Sequence, residues 1–206
     1  MLFRLWRLGE GGKMERRWAG IRLAKAGALC VALALAGCAQ PPGQVFDLAG
    51  SAAITRVSAT SAGGITVRPP IAVAPTSTNR IVVRDVDGSV SILPSVGWSE
   101  PLPRLLRERL IEALQRAGVA AARVSGSGRA LATDIRRFEI DVARNVAVVE
   151  IYARIIDENS GAERAGQNVV GEAPAPDHTG APAAMALTEA AGEALSRVAS
   201  WARGKL

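Results

Sequence analysis

LATDIRRFEIDVARNVAVVEIYARIIDENSG, residues 131–161, is the stretch whose reading decides the fold. Leu131, Thr133 and Ile135 alternate with polar or small residues, and Phe138, Ile140 and Val142 then take over the apolar role. Period-two alternation of this kind marks a strand with one buried face. The phase slips at Arg136-Arg137, which predicts a β-bulge, because one extra residue returns the side chains to their original face. After Ala143-Arg144-Asn145 the pattern resumes at Ala147, Val149, Ile151, Ala153 and Ile155. The two strands read as a long hairpin with Glu139, Asp141 and Glu150 on its outer face. Asn159-Ser160-Gly161 then turns the chain into a last strand around Gln167–Val170.

Working outward, a proline-rich loop from Ala173 to Pro182 leads to a closing helix. Its apolar stripe is Leu187, Ala191, Leu195, Val198 and Ala202, with Trp201 beside it, and its alanines allow close approach to a sheet. Upstream, Leu102, Leu105, Leu106, Leu110, Ala113, Leu114 and Ala117 recur at helical spacing. Ser99 is the expected N-cap, Pro101 lies in the first turn, and Gly118 is placed to end the helix. Arg104–Glu108 and Glu112–Arg116 are expected i,i+4 pairs on the solvent face, where Arg107→Glu should alter folding little. Before this helix, Arg80–Arg84 and Ser89–Leu93 flank Asp85-Val86-Asp87-Gly88, a hairpin signal. A calcium loop would need later ligands and a closing Glu that the sequence lacks. Ile65–Val73, interrupted by Pro69-Pro70, reads as an edge-like or bent strand, and Val119–Val124 as a short one. These elements predict an α+β fold: a mainly antiparallel or mixed sheet with two helices packed on one face.

Trp98, just before the first helix, has two readings. It staples that helix to the sheet, or it belongs to a partner surface together with Arg104 and Arg107.

The amino-terminal end carries a different signal. Arg16, Arg17, Arg22 and Lys25 precede the apolar run Ala26–Leu35, which is too short to span a bilayer comfortably. Residues 1–37 therefore read as a secretory signal, with Met14 a more ordinary start than the thirteen residues ahead of it. Leu35-Ala36-Gly37-Cys38 resembles the bacterial lipobox. That resemblance implies cleavage before Cys38, a diacylglyceryl group on its thiol and an acyl chain on the new amino terminus. An ordinary signal peptide or an anchor helix is the alternative. Ala39 rather than Asp follows the cysteine, which under the enterobacterial sorting rule favours the outer membrane. Residues 38–64 read as a lipidated tether with a short strand at Val45–Leu48, and 65–206 as a single periplasmic domain.

Processing changes what the charge says. Of 25 basic and 19 acidic residues, seven and two precede Cys38, which leaves 18 against 17 in the mature chain. A net charge of about +1 gives little support to nucleic-acid binding. Cys30 and Cys38 sit on one short segment far from His178, the only histidine, so no zinc spacing exists. There is no G-x-S-x-G elbow, no Walker motif, and no pair of carboxylates that stands out as an acid/base couple.

The stretch from Asn79 to Gly118, NRIVVRDVDGSVSILPSVGWSEPLPRLLRERLIEALQRAG, resembles the ABC-type transport auxiliary lipoprotein family. In that family a short strand and hairpin precede a Trp and a PL-containing helix, matched here by Arg80–Arg84, Trp98 and Pro101-Leu102. The later LATDIRRFEIDV and VEIYARIIDENSG are similar to the family's long hairpin, and the lipobox followed by Phe46-Asp47-Leu48 to its start. The resemblance implies a lipoprotein, held to the membrane by its lipid anchor, that serves an ABC transporter of the mammalian-cell-entry (MCE) type. An MCE-domain protein, a permease and an ATPase are the implied partners, and a second copy of the chain is a further one. The cargo would be phospholipid or another lipid. No cofactor is implied beyond the diacylglycerol and N-acyl chain on Cys38, and no catalytic residue carries over. A structural envelope lipoprotein that binds peptidoglycan or an assembly machine is the second reading, and a hydrolase the third.

Overall fold

The computed structural model describes residues 43–49 and 64–206. The signal segment, the lipobox with Cys38 and the Ser58–Gly63 part of the tether loop lie outside the described residues.

β6 (Arg129–Asp141) and β7 (Val146–Asp157) form the predicted antiparallel hairpin. Their register steps from Ile135↔Ile151 to Arg137↔Glu150, so Arg136 is the extra residue and the slip is a bulge. Asn145 closes the turn with φ +53, a conformation that Asn tolerates better than most residues. Leu131, Ile135, Phe138 and Ile140 share a buried face with Ala147, Val149, Ile151, Ala153 and Ile155. β8 (Glu163–Pro174) pairs with β7 along nearly its whole length. It is three times as long as the Gln167–Val170 expectation, because its polar first half hides the alternation.

The other edge of β6 is shared. β2 (Ile65–Val67) runs parallel to its first half and β3 (Arg80–Arg84) parallel to its second. Between them Ile71 bridges Asp134. β2 is also paired with β5 (Ala121–Ala122), so it is an interior strand rather than an edge. Pro69-Pro70 bend the segment, as expected, before Ile71 resumes pairing through its N–H to the Thr133 carbonyl at 2.9 Å. β5 keeps only two of the six residues expected between Val119 and Val124.

β4 (Val90–Trp98) pairs antiparallel with β3 across the Asp85–Gly88 turn, where Gly88 has φ +86. β1 (Gln44–Phe46) lies parallel to β4, and Leu48 just beyond it is buried in the core. The sheet thus draws on residues ahead of position 65. The described residues form one mixed sheet of eight strands, with four parallel pairings.

Both helices cover one face. α1 (Leu102–Arg116) buries Leu102, Leu105, Leu106, Leu110, Ala113 and Leu114. Its N-cap is Pro101 rather than Ser99, and no side chain caps it. Pro101 and Pro103 have no N–H to satisfy, and Leu102 donates to the Thr78 carbonyl at 3.0 Å, so a side-chain cap has little left to do. The C-terminus closes as expected at Gly118, φ +82. Gly118 donates to the Gln115 carbonyl and Val119 to that of Leu114, a Schellman arrangement. α2 (Gly180–Arg203) buries the predicted stripe and takes Gly180–Pro182 from the expected loop into its first turn. Ala190 and Ala194 meet β8 at Gly171, where backbone touches backbone without an intervening side chain.

A candidate partner surface at the start of α1

Three site residues were expected together, and the fold separates one of them. Trp98 is 0% exposed and meets Phe138 edge-on, with centroids 5.7 Å apart and rings 87° apart. It therefore staples the core and offers no partner surface. β4 turns it inward because Val96 and Trp98, two apart, share the buried face.

Arg104 and Arg107 do line a common feature. An open groove of about 450 Å³ runs between the first two turns of α1 and the chain around Pro69 and Arg123. Pro69, Pro101 and Pro103 form rigid walls without N–H groups, and Arg104, Arg107, Glu108 and Arg123 supply the charge. Arg104 reaches back to Glu100 at 2.9 Å instead of forward to Glu108. Glu108 is taken by Arg123 at 2.8 Å, and Glu112 by Arg109 at 2.9 Å. Neither expected i,i+4 pair forms, because Arg123 from outside the helix and Arg109 one turn earlier within it hold the same carboxylates.

Arg107 is a correction. Its Nε donates to the Val67 carbonyl at 2.9 Å and its Nη2 to the Arg123 carbonyl at 3.1 Å. These bonds tie α1 to β2 and to the chain after β5, so Arg107 is a structural clamp whose charge faces the groove. The groove thus presents charges of both signs between proline walls.

The sheet face without helices carries charges that the sequence reading placed only in part. Glu139 and Asp141 lie on the outer face of the hairpin as expected, yet both are buried. Arg84, brought in by the β3–β6 pairing, holds Glu139 through Nε and Nη2, each at 2.9 Å. Arg137 bonds Glu139 at 2.7 Å and Asp141 at 3.1 Å. Burial pushes the Glu139 carboxyl up, but hydrogen bonds and charge from Arg84 and Arg137 outweigh it and leave the group below the usual carboxylate range. Farther along, Arg154 bonds Asp134, and Arg136 stacks over Tyr152 with its guanidinium 4.8 Å from the ring centre. The outer face is thus a lattice of paired charges.

His178 lies in the exposed loop before α2, with Nε2 2.9 Å from Asn145 Oδ1. Among the described residues no three His, Cys, Asp or Glu side chains are grouped to hold a metal. No helix among them is long and apolar enough to cross a membrane.

The described residues thus form an α+β domain with two helices on one face of a mixed sheet and an open groove at the start of α1. Residues 46–199 match the family model described as ABC-type transport auxiliary lipoprotein component, and the chain belongs to that family. No curated protein sequence matches it. Among solved structures, a DUF330 protein from Xanthomonas campestris is 24% identical, with a TM-score of 0.63 over 79% of this chain and 95% of its own. An uncharacterized protein of 14% identity gives 0.62 over 80% and 99%. A PelC dodecamer from Paraburkholderia phytofirmans is a more distant likeness, at 12% identity and 0.43 over 78% and 93%.

Proposed function

We propose that the chain is the membrane-anchored auxiliary subunit of an MCE-type ABC transporter that moves phospholipids or other lipids across the cell envelope. The observation that carries this reading is the family match over residues 46–199, with Leu35-Ala36-Gly37-Cys38 just upstream. Cys38 carries the diacylglyceryl and N-acyl chains. Each buried lipid methylene contributes about 0.8 kcal/mol, so several chains hold permanently what one holds only reversibly. Ala39 favours the outer membrane. The groove beside Arg104 and Arg107 is the face that docks to the transporter's MCE-domain protein, and the permease and ATPase complete the machine. The chain's part is to bind and position, with no catalytic step.

Cys38→Ala tests the anchor. A fatty-acid analogue fed to cells should label the wild type and leave the variant unlabelled and released from membranes, or unprocessed. Equal labelling of both would refute the assignment. Co-purification of the acylated protein with an MCE-domain protein tests the partner, and Arg104→Glu should weaken that recovery without lowering protein levels.

A further inference from the structure

β8 closes the sheet on one side. It pairs with β7 along one edge, and among the described residues no strand lies along the other. In an antiparallel ladder the N–H and C=O groups of successive residues point alternately to one side and the other. Two bonds show which residues of β8 face outward. Glu172 donates its N–H to Glu193 Oε2 at 2.9 Å, and the Val170 carbonyl accepts from Arg197 Nη1 at 2.8 Å. Gly166 and Asn168 have the same parity. The N–H and C=O of both, and the N–H of Val170, have no hydrogen-bond partner among the described residues. This open window is bounded at both ends. A register step leaves Arg164 as a bulge, and Glu193 caps the Glu172 N–H. Between them Gly166–Val170 spans about 13 Å. β4 also has a bare edge from Val90, but Pro94 and Ser95, the latter at φ +58, break it.

A helix runs beside the window. α2 lies directly over β8 at Gly171, and farther along it Ser196, Arg197 and Ser200 form an open recess of about 330 Å³ with Gln167–Val170. No carboxylate lines this recess. Ser196 and Ser200 are exposed, and Arg197 uses only part of its guanidinium on Val170 and Glu193. Donors and acceptors repeating at strand spacing are matched by the main chain of an extended polypeptide, and an ion or a lipid headgroup does not supply both at that repeat. On an added strand, the side chains opposite Gln167 and Val169 would share the helix side of the sheet and enter the recess. There the two hydroxyls and the guanidinium favour a carboxylate. A second copy of the chain fits less well. Two-fold pairing about Asn168 would bring Glu172 of each copy to the broken, Glu163-bearing end of the other, like charge against like.

We propose that β8 takes an extended segment of a partner protein as one further strand, about five residues paired along Gly166–Val170, with an Asp or Glu side chain turned toward Ser196, Arg197 and Ser200. Main-chain bonds hold the segment, and the recess selects its side chain. Glu193 already occupies the next outward donor, at Glu172, so the register is fixed at that end. The bulge at Arg164 stops the ladder at the other. This surface is separate from the groove beside Arg104, and the inference does not depend on acylation of Cys38.

The test titrates the full, isotope-labelled chain with a capped peptide of alternating Thr and Val around a central Asp. One control peptide carries Lys in place of Asp, and another is N-methylated on the residues either side of it. The Asp peptide should shift the amide signals of Gly166, Asn168 and Val170 and slow their hydrogen exchange several-fold. Gln167 and Val169, whose N–H groups face β7, should change little. The Lys peptide should bind several-fold more weakly and the N-methylated one should not bind. Asn168→Ala keeps the main chain and should keep binding. Asn168→Pro removes an N–H that β7 does not use and should abolish it. If that variant does not fold, the N-methylated peptide decides the same point. Binding that survives N-methylation, or no shift at the three amides, would overturn the inference. So would amides already protected in the protein alone, through residues 50–63 or, as concentration rises, through a second copy.

Discussion

Gly171→Ala should be strongly destabilising, although glycine within a strand usually costs stability relative to alanine. Removing such a glycine ordinarily contributes about 0.5–1 kcal/mol, because the unfolded chain loses freedom. Gly171 lies on the inner face of β8 opposite Val149, directly beneath α2. An added Cβ would stand 3.0 Å from the Ala194 Cβ, 2.7 Å from the Ala194 nitrogen, and closer still to the Ala190 carbonyl oxygen. A carbon–oxygen contact needs roughly 3.3 Å. The helix would have to retreat by about 1 Å to restore that contact, and backbone on both sides leaves no rotamer to yield. Overpacking costs about 1–3 kcal/mol when side chains can adjust, so a backbone collision belongs at about 2–4 kcal/mol. For a domain of this size that lowers the Tm by about 5–15 °C. Gly192, on the exposed side of α2, has nothing within 4 Å of an added Cβ. Gly192→Ala should raise stability by about 0.5–1 kcal/mol. Urea and thermal unfolding of the two variants beside wild type gives both signs in one experiment. A Gly171→Ala protein as stable as wild type would refute the close packing of α2 on β8.

Leu110→Ala should cost about 3–5 kcal/mol in the same unfolding assay. Leu110 is buried beside a small void lined by Leu106, Ile151 and Val198, so the new cavity adds to an old one. Arg107→Glu should cost about 1–3 kcal/mol, because it removes two hydrogen bonds to carbonyls from a partly exposed guanidinium, whereas Arg104→Glu should stay within about 0.5 kcal/mol. Equal melts for these two charge reversals would show that the clamp holds nothing. Glu139→Gln should cost about 1–3 kcal/mol at neutral pH by removing a buried carboxylate from Arg84 and Arg137. Its folded-state pKa lies below the unfolded value, so that stabilisation is present above the ordinary carboxylate range and is lost as pH falls through the folded value. Stability-against-pH curves of wild type and variant should therefore converge in acid. A constant gap down to the lowest pH would contradict the ion-pair account.

Local pattern alone determined much of this protein. Alternation from Leu131 to Ile155, with its slip at Arg136, specified the hairpin and the bulge, because a strand's side-chain period is set within the strand itself. The leucine stripe of α1, its stop at Gly118 and the alanine-rich stripe of α2 were legible for the same reason. The residues around Cys38 read as a processing signal for the same local reason, since such signals are linear sequence, and that reading lies outside the described residues. Other features needed the tertiary structure. The parallel pairings of β1 with β4, and of β2 and β3 with β6, join segments many residues apart, and no local period records which strand lies beside which. β2 passed for an edge strand because its prolines are local while its neighbours are not. Glu139 read as an ordinary exposed carboxylate until β3 placed Arg84 against it. Arg107 looked interchangeable with Arg104 until β2 supplied the Val67 carbonyl. Trp98 had two readings until the sheet turned it onto Phe138. In each case a side chain's role is set by the atoms that surround it, and only the folded chain brings those atoms together.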